Sequence, residues 1–163
     1  RRMVRDVAAK TILNWLCVGA IAVGVAATTR SRLTEQAQAK AVAKTYPVGA
    51  LAYLRQHPSS SRGFDSYNWG GYLIWNWFPT RQIYVDGRPD MYGDQFMDGY
   101  VRAYNGEGSW RYLFHRDLLC YALVEPSSGI AAALRTTVGW RTRYSDSVAV
   151  LYEMRTLPRG CDR

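Results

Sequence analysis

Reactive side chains are scarce in this sequence. Two histidines and three cysteines are spread over 163 residues. His57 and His115 have no Cys or His partner at ligand spacing, so no metal site is expected. Cys17 sits in an apolar run, Cys120 in an expected buried strand and Cys161 in the tail, with no CxxC pair. They read as small buried hydrophobes plus one tail thiol. A Cys120–Cys161 disulfide is open to the chain outside the cytoplasm, although sequence alone does not establish it. GxSxG, HExxH, P-loop and GxGxxG motifs are all missing, and no cofactor is expected. Without a nucleophile–base pair or a metal set, a free-standing soluble hydrolase is a poor reading. No internal repeat occurs.

Acid is also in short supply, and the net charge is +8. Its distribution argues against nucleic acid. Residues 1–45 carry eight Lys/Arg and two Asp/Glu, whereas residues 46–163 carry thirteen Arg and eleven Asp/Glu. The excess flanks an apolar segment, where it meets lipid headgroups rather than a phosphate backbone. Every lysine lies at or before Lys44. Aromatics, by contrast, are plentiful: six Trp and twelve Tyr exclude disorder and suit a packed domain with wet edges.

Only one stretch is long and uncharged, residues 11–28 (TILNWLCVGAIAVGVAAT). Eighteen helical residues span roughly 27 Å, close to a hydrocarbon core of about 30 Å. Lys10 and Arg30 snorkel at its ends, and Trp15 lies near one interface. A signal peptide is the weaker reading, because Ala26-Ala27-Thr28 is a poor cleavage site. A buried soluble helix is weaker too, since residues 30–45 are polar and supply no apolar partner. Gly19, Ala20, Ala22, Gly24, Ala26 and Ala27 would let further transmembrane helices, of the same protein or of a complex, approach closely. Arg1, Arg2, Arg5 and Lys10 outweigh the charges just after the run. The positive-inside rule therefore puts residues 1–10 in the cytoplasm and the domain outside. The opening Arg1-Arg2, without an initiator Met, suggests a piece of a longer protein.

Beyond the span, residues 29–45 form a helical stalk, residues 46–155 an extracytoplasmic α/β domain and residues 156–163 a flexible tail. Residues 33–44 are Ala- and Gln-rich with good helix propensity. Pro47 suits a first helical position, and that helix stops at His57-Pro58. Residues 59–63 are a loop. Residues 64–67 read as a short strand, after which Asn68 caps a helix ending before Pro79. Residues 82–86 (QIYVD) are expected as a second strand. Residues 94–104 have helical apolar spacing, and Ser109 caps a short helix through Phe114. Residues 118–124 (LLCYALV) read as a central strand, and Pro126-Ser127-Ser128 opens a helix through Arg135. Residues 140–144 and 148–154 form an antiparallel hairpin about Asp146-Ser147. The fold class is therefore α/β: one transmembrane helix, then a small mixed sheet with helices on its faces and a C-terminal hairpin.

Two segments carry unusual residue choices. In Asn68-Trp69-Gly70-Gly71-Tyr72, adjacent glycines cost about 1 kcal/mol each inside a helix. They imply a close backbone or ligand, and tight packing is the favoured cause. Asp86-Gly87-Arg88-Pro89-Asp90-Met91-Tyr92 follows an expected strand, where α/β sheets bind ligands. Asp86, Arg88 and Asp90 can form a charged cluster there, and Arg forks onto carboxylate or phosphate. A self-satisfied ion-pair turn stands slightly ahead of ligand binding. The candidate ligand-binding residues are Asn68, Trp69, Tyr72, Asp86, Arg88, Asp90 and Tyr92. No catalytic residue is assigned.

The combination of a membrane helix with PxGALxYL (47–54), NWGGYLIW (68–75), VDGRPDMY (85–92) and WRxxYSDxxAVLY (140–152) resembles the C-terminal region of large bacterial polytopic membrane proteins. These are similar to glycosyltransferases of the GT-C, dolichyl-phosphate-mannose-like class. The resemblance covers nearly the whole chain. It implies an inner-membrane location with the domain on the periplasmic side, a lipid-linked sugar as partner, and transfer from a polyprenyl phosphate carrier. The class keeps its catalytic acid in an early outer loop, which this sequence does not contain. The chain is therefore expected to be the non-catalytic portion of such an enzyme. The alternative is an accessory or structural subunit of a larger membrane complex.

Overall fold

A computed structural model describes residues 2–32, 34–58, 62–159 and 161. Expectations at Arg1, Leu33, Ser59, Ser60, Ser61, Gly160, Asp162 and Arg163 lie outside the described residues. The chain divides into two compact units, Arg1–Val42 and Ala43–Arg163.

The first unit is dominated by α1 (Arg2–Arg32), followed by the start of α2 (Glu35–Thr45). Within α1, Ala9–Arg30 is long and apolar enough to cross a membrane, and none of it is buried against protein. The helix therefore runs past both ends of the expected segment 11–28. Gly19 and Gly24 have open space beside them.

The second unit contains a mixed α/β domain. Its elements are α3 (Val48–Gln56), β1 (Gly63–Asp65), α4 (Gly70–Trp77), α5 (Asp94–Tyr104), α6 (Trp110–Arg116), β2 (Tyr121–Val124), α7 (Gly129–Thr136), β3 (Trp140–Ser145) and β4 (Val150–Met154). The four strands lie in the order β1-β2-β4-β3, with β1 parallel to β2 and the other pairs antiparallel. Alternation along β2 decides which side chain meets which helix. Tyr121 and Leu123 face α3 and α4, packing with Leu51, Leu54, Trp69, Leu73 and Trp77. Ala122 and Val124 face the other way, packing with Tyr100, Phe114, Ile130 and Leu134. Both sheet faces are covered, which explains the unbroken apolar run of β2.

Several local expectations fail for identifiable reasons. Residues 82–86 do not join the sheet. The Asp65 carboxylate instead accepts the Tyr84 N–H, with the Val85 N–H also directed at it, so a side chain takes the place of a ladder partner. Ile83 and Tyr84 still pack into the cores on opposite faces, as strand neighbours would. Asn68 caps no helix: it lies inside a 3-10 turn, Tyr67–Trp69, and α4 starts after it. Ser109 precedes α6 without a side-chain cap, whereas Ser128 Oγ accepts from Ala131 N and caps α7. Pro47 precedes α3 rather than opening it. The tail is not loose at Cys161, which is fully buried and disulfide-bonded to Cys120.

The paired glycines separate into one constrained and one free position. A Cβ on Gly70 would lie 2.4 Å from Asp86 Cα and 2.5 Å from Val85 O. One on Gly71 would meet nothing within 4 Å. Gly70→Ala should therefore lower stability by about 2 kcal/mol or more through overpacking. Gly71→Ala should raise it by about 0.5–1 kcal/mol through helix propensity; paired chemical denaturation curves check both signs. The disulfide closes a separation of 41 residues. Cys161→Ser should cost about 2–4 kcal/mol, read in the same assay.

Candidate functional site

The two parallel strands part company at their carboxyl ends. After β1 the chain passes into Trp69, Leu73 and Trp77 against one sheet face. After β2 it passes into Ile130, Ala131 and Leu134 against the other. Neighbouring strands that send their successors to opposite faces open a crevice between them, the place where α/β sheets bind ligands. A cavity of about 450 Å³ lies there, lined by Lys44, Thr45, Tyr46, Asn68, Trp69, Glu125, Pro126, Ser127, Ser147 and Val148. That volume falls within the usual range for a small-molecule site.

Its walls are held by buried hydrogen bonds. Ser66 N donates to Leu123 O, tying the end of β1 to β2 (3.2 Å). Tyr100 Oη accepts from Tyr67 N (2.8 Å) and donates to Asp65 O (3.1 Å), fixing the turn that carries Asn68. Trp69 Nε1 donates to Thr45 O (3.0 Å), so the indole is a strut rather than a free platform. Tyr72 stacks on Tyr46, with ring centroids 4.6 Å apart, and braces the same corner.

Glu125 is the fixed polar group of the crevice. Ser66 Oγ donates to Oε1 and Tyr104 Oη to Oε2, each at 2.7 Å. Burial raises the Tyr104 hydroxyl above its ordinary pKa, and its bond to Glu125 raises it further. A carboxylate has about four lone-pair sites, so this clamp leaves acceptor capacity while removing rotational freedom. Asn68, Ser127, Ser147 and Lys44 are exposed around it and supply donors and acceptors. Ser66 contacts a carboxylate but is itself 1% exposed. A substrate cannot reach it, so Ser66–Glu125 is not a nucleophile–base pair. The arrangement suits binding of a polar, hydroxyl-bearing ligand.

The other candidate residues form a separate, self-satisfied turn. Arg88 donates to Asp86 from its backbone N–H (3.0 Å), Nε (3.0 Å) and Nη2 (2.6 Å). The Arg88 guanidinium, assisted by the Tyr92 hydroxyl, holds the Asp86 carboxyl below the usual carboxylate range against the effect of burial. Tyr92 stacks on Phe96 at 5.0 Å. Asp90 is exposed and outside this ion pair. Gly70 of α4 rests on the Asp86 backbone of this turn.

Asp65 is the most perturbed acid in the domain. Burial pushes its pKa up to about 8, against the lowering effect of the Tyr84 and Val85 N–H groups; nearby Asp86 adds to the rise. Its Oδ2 has no hydrogen-bond partner among the described residues. It fastens residues 82–86 to β1.

Among the described residues, no group of three or more His, Cys, Asp or Glu is placed to hold a metal ion. The sequence reading reached Asn68 and Trp69 but missed Glu125, Ser66, Tyr104 and Ser127. The signal was available. Glu125-Pro126-Ser127-Ser128 directly follows the most apolar strand, the position where a ligand site is expected.

Asp65 sets a pH dependence. Its folded-state value lies above the ordinary 3.8, so the folded chain retains a proton that the unfolded chain gives up. This contribution is complete below about pH 4 and is lost up to about pH 8, by at most about 1.4 kcal/mol per pH unit. Asp65→Asn should flatten that slope, seen as Tm against pH for the two proteins side by side.

No family model, curated protein or solved structure matches this chain.

Proposed function

We propose that this chain is the terminal membrane helix and extracytoplasmic domain of a polyprenyl-phosphate-sugar-dependent glycosyltransferase, supplying a binding crevice rather than the catalytic acid. The observation that carries the reading is the polar crevice at the β1–β2 switch point, in a chain that also has an apolar helix of membrane-spanning length. A clamped carboxylate, an amide, serine hydroxyls and an ammonium group are suited to a ligand rich in hydroxyls. Hydroxyls both donate and accept; the carboxylate accepts, the ammonium donates, and the amide and serine hydroxyls do both. The Cys120–Cys161 disulfide favours an oxidising compartment, which supports placing the domain outside the cytoplasm. The basic flank before the span points the same way. The sequence patterns NWGGYLIW and VDGRPDMY supply the resemblance to the transferase class.

A second reading rests on the helix rather than the crevice. The open space beside Gly19 and Gly24 lets another helix pack closely, as in an accessory subunit of a membrane complex. Stable co-purification with unrelated integral membrane subunits would favour it. Covalent continuity with many upstream membrane helices would favour the transferase.

The crevice assignment is tested in the intact protein with a labelled polyprenyl-phosphate sugar. Asn68→Ala, Ser127→Ala and Glu125→Gln should each reduce transfer about tenfold, equivalent to about 1.4 kcal/mol of transition-state stabilisation, with the domain still folded. Arg88→Ala should act more weakly, because its partner is Asp86 in the adjoining turn. Full transfer by folded Asn68 and Glu125 variants would remove the assignment.

A further inference from the structure

Helix α4 turns an unusual face to solvent. Its buried side carries Gly70, Leu73 and Trp77. The opposite side, at helical spacing, carries Gly71 and Trp75, and Phe78 follows at the helix end. Trp75 is 88% exposed and Phe78 77% exposed. An outward helix face ordinarily holds charged or polar residues; this one presents two large aromatic rings.

Arginine lies close to this helix. Arg55 of α3 donates to Oδ1 of Asn76, the residue after Trp75 (3.3 Å). The Arg81 guanidinium sits over the Trp77 ring, 5.6 Å from its centroid. From residue 36 to residue 85 the only acid is Asp65, which is 1% exposed. Protruding Trp and Phe with arginine beside them complement a headgroup region that is apolar below and anionic above.

We propose that the Trp75–Phe78 face of α4 docks onto the surface of an anionic lipid bilayer, giving the domain a second membrane contact besides the apolar helix. Tryptophan settles at the boundary between hydrocarbon and headgroups because its ring is apolar and its N–H is polar. The arginines add attraction to anionic lipid, screened within about 10 Å at 0.1 M salt. The inference rests on Ala9–Arg30 residing in lipid, and its test separates the two.

The full chain with Cys17→Ser is given one new cysteine at a time: Trp75→Cys, Phe78→Cys, or Val138→Cys. Val138 is 98% exposed and supplies the water-facing reference. Each is labelled with an environment-sensitive fluorophore and reconstituted into vesicles of phosphatidylcholine, with or without phosphatidylglycerol. The expected result is several-fold lower iodide quenching at 75 and 78 than at 138 in the anionic vesicles. Adding Arg55→Glu should reduce that protection. Equal quenching at all three positions in chain that has inserted would overturn the docking while leaving the anchor standing. Failure to insert would remove the anchor and the docking together. Protection that persists in lipid-free detergent and grows with protein concentration would assign the face to a second copy of the chain, and overturn the lipid contact.

Discussion

The crevice exists because a four-stranded sheet has two apolar faces and both must be covered. Tyr121 and Leu123 demand helices on one side of β2, and Ala122 and Val124 demand them on the other. The chain meets this by sending the successors of two adjacent parallel strands in opposite directions, which leaves no segment to close the gap between them. The backbone groups at that gap must then be satisfied from the sides. Tyr100 does so, accepting from Tyr67 N and donating to Asp65 O, and Ser66 N donates to Leu123 O. The Ser66 and Tyr104 hydroxyls hold Glu125 instead, so the groups that keep the strand ends from fraying lie beside those that give the crevice its fixed acceptor.

What the sequence discloses follows from where the determinants lie. Helix α5 was legible because its apolar spacing is carried by its own residues. Strand β2 was legible because a continuous apolar run between polar segments has few other uses. Strands β3 and β4 were announced by Asp146, whose carboxylate accepts the Val148 and Ala149 N–H groups and so makes a turn from local chemistry. Residues 82–86 misled because their composition is that of a strand, while their backbone donors are taken by a side chain 19 positions earlier. Cys161 misled in the same way. Its neighbours read as tail, and what buries it is a bond to a residue 41 positions away.

The candidate site shows the same division. Asn68 and Trp69 stood out because two glycines follow them, and Gly70 is required by the Asp86 backbone. Asp86 and Arg88 stood out by charge, yet the pair satisfies itself at 2.6 Å and leaves the carboxylate little to offer a ligand. Glu125 did not stand out, because an acid after a strand is common. Its role depends on Ser66 and Tyr104 arriving from elsewhere in the chain. Charge density in sequence located an anchor, whereas convergence in space located the binding group.

Glu153 illustrates why exposed arginine is not automatically a ligand group here. This buried acid takes both Arg141 and Arg143 from the edge strand, at 3.0 and 3.1 Å, where a register shift occurs in the β3–β4 pairing. Two cations on one carboxylate satisfy a charge that burial would otherwise penalise. Edge-strand arginines also discourage pairing with another sheet. The acids of the α3–α4 side are engaged in the same way. Glu153 stands opposite Tyr121 on that face of the sheet, Asp146 approaches Gly49 of α3, and Asp65 is buried and committed to the Tyr84 and Val85 N–H groups. Glu125 and Asp146 thus hold hydroxyl and backbone N–H groups, and Glu153 holds two guanidinium groups.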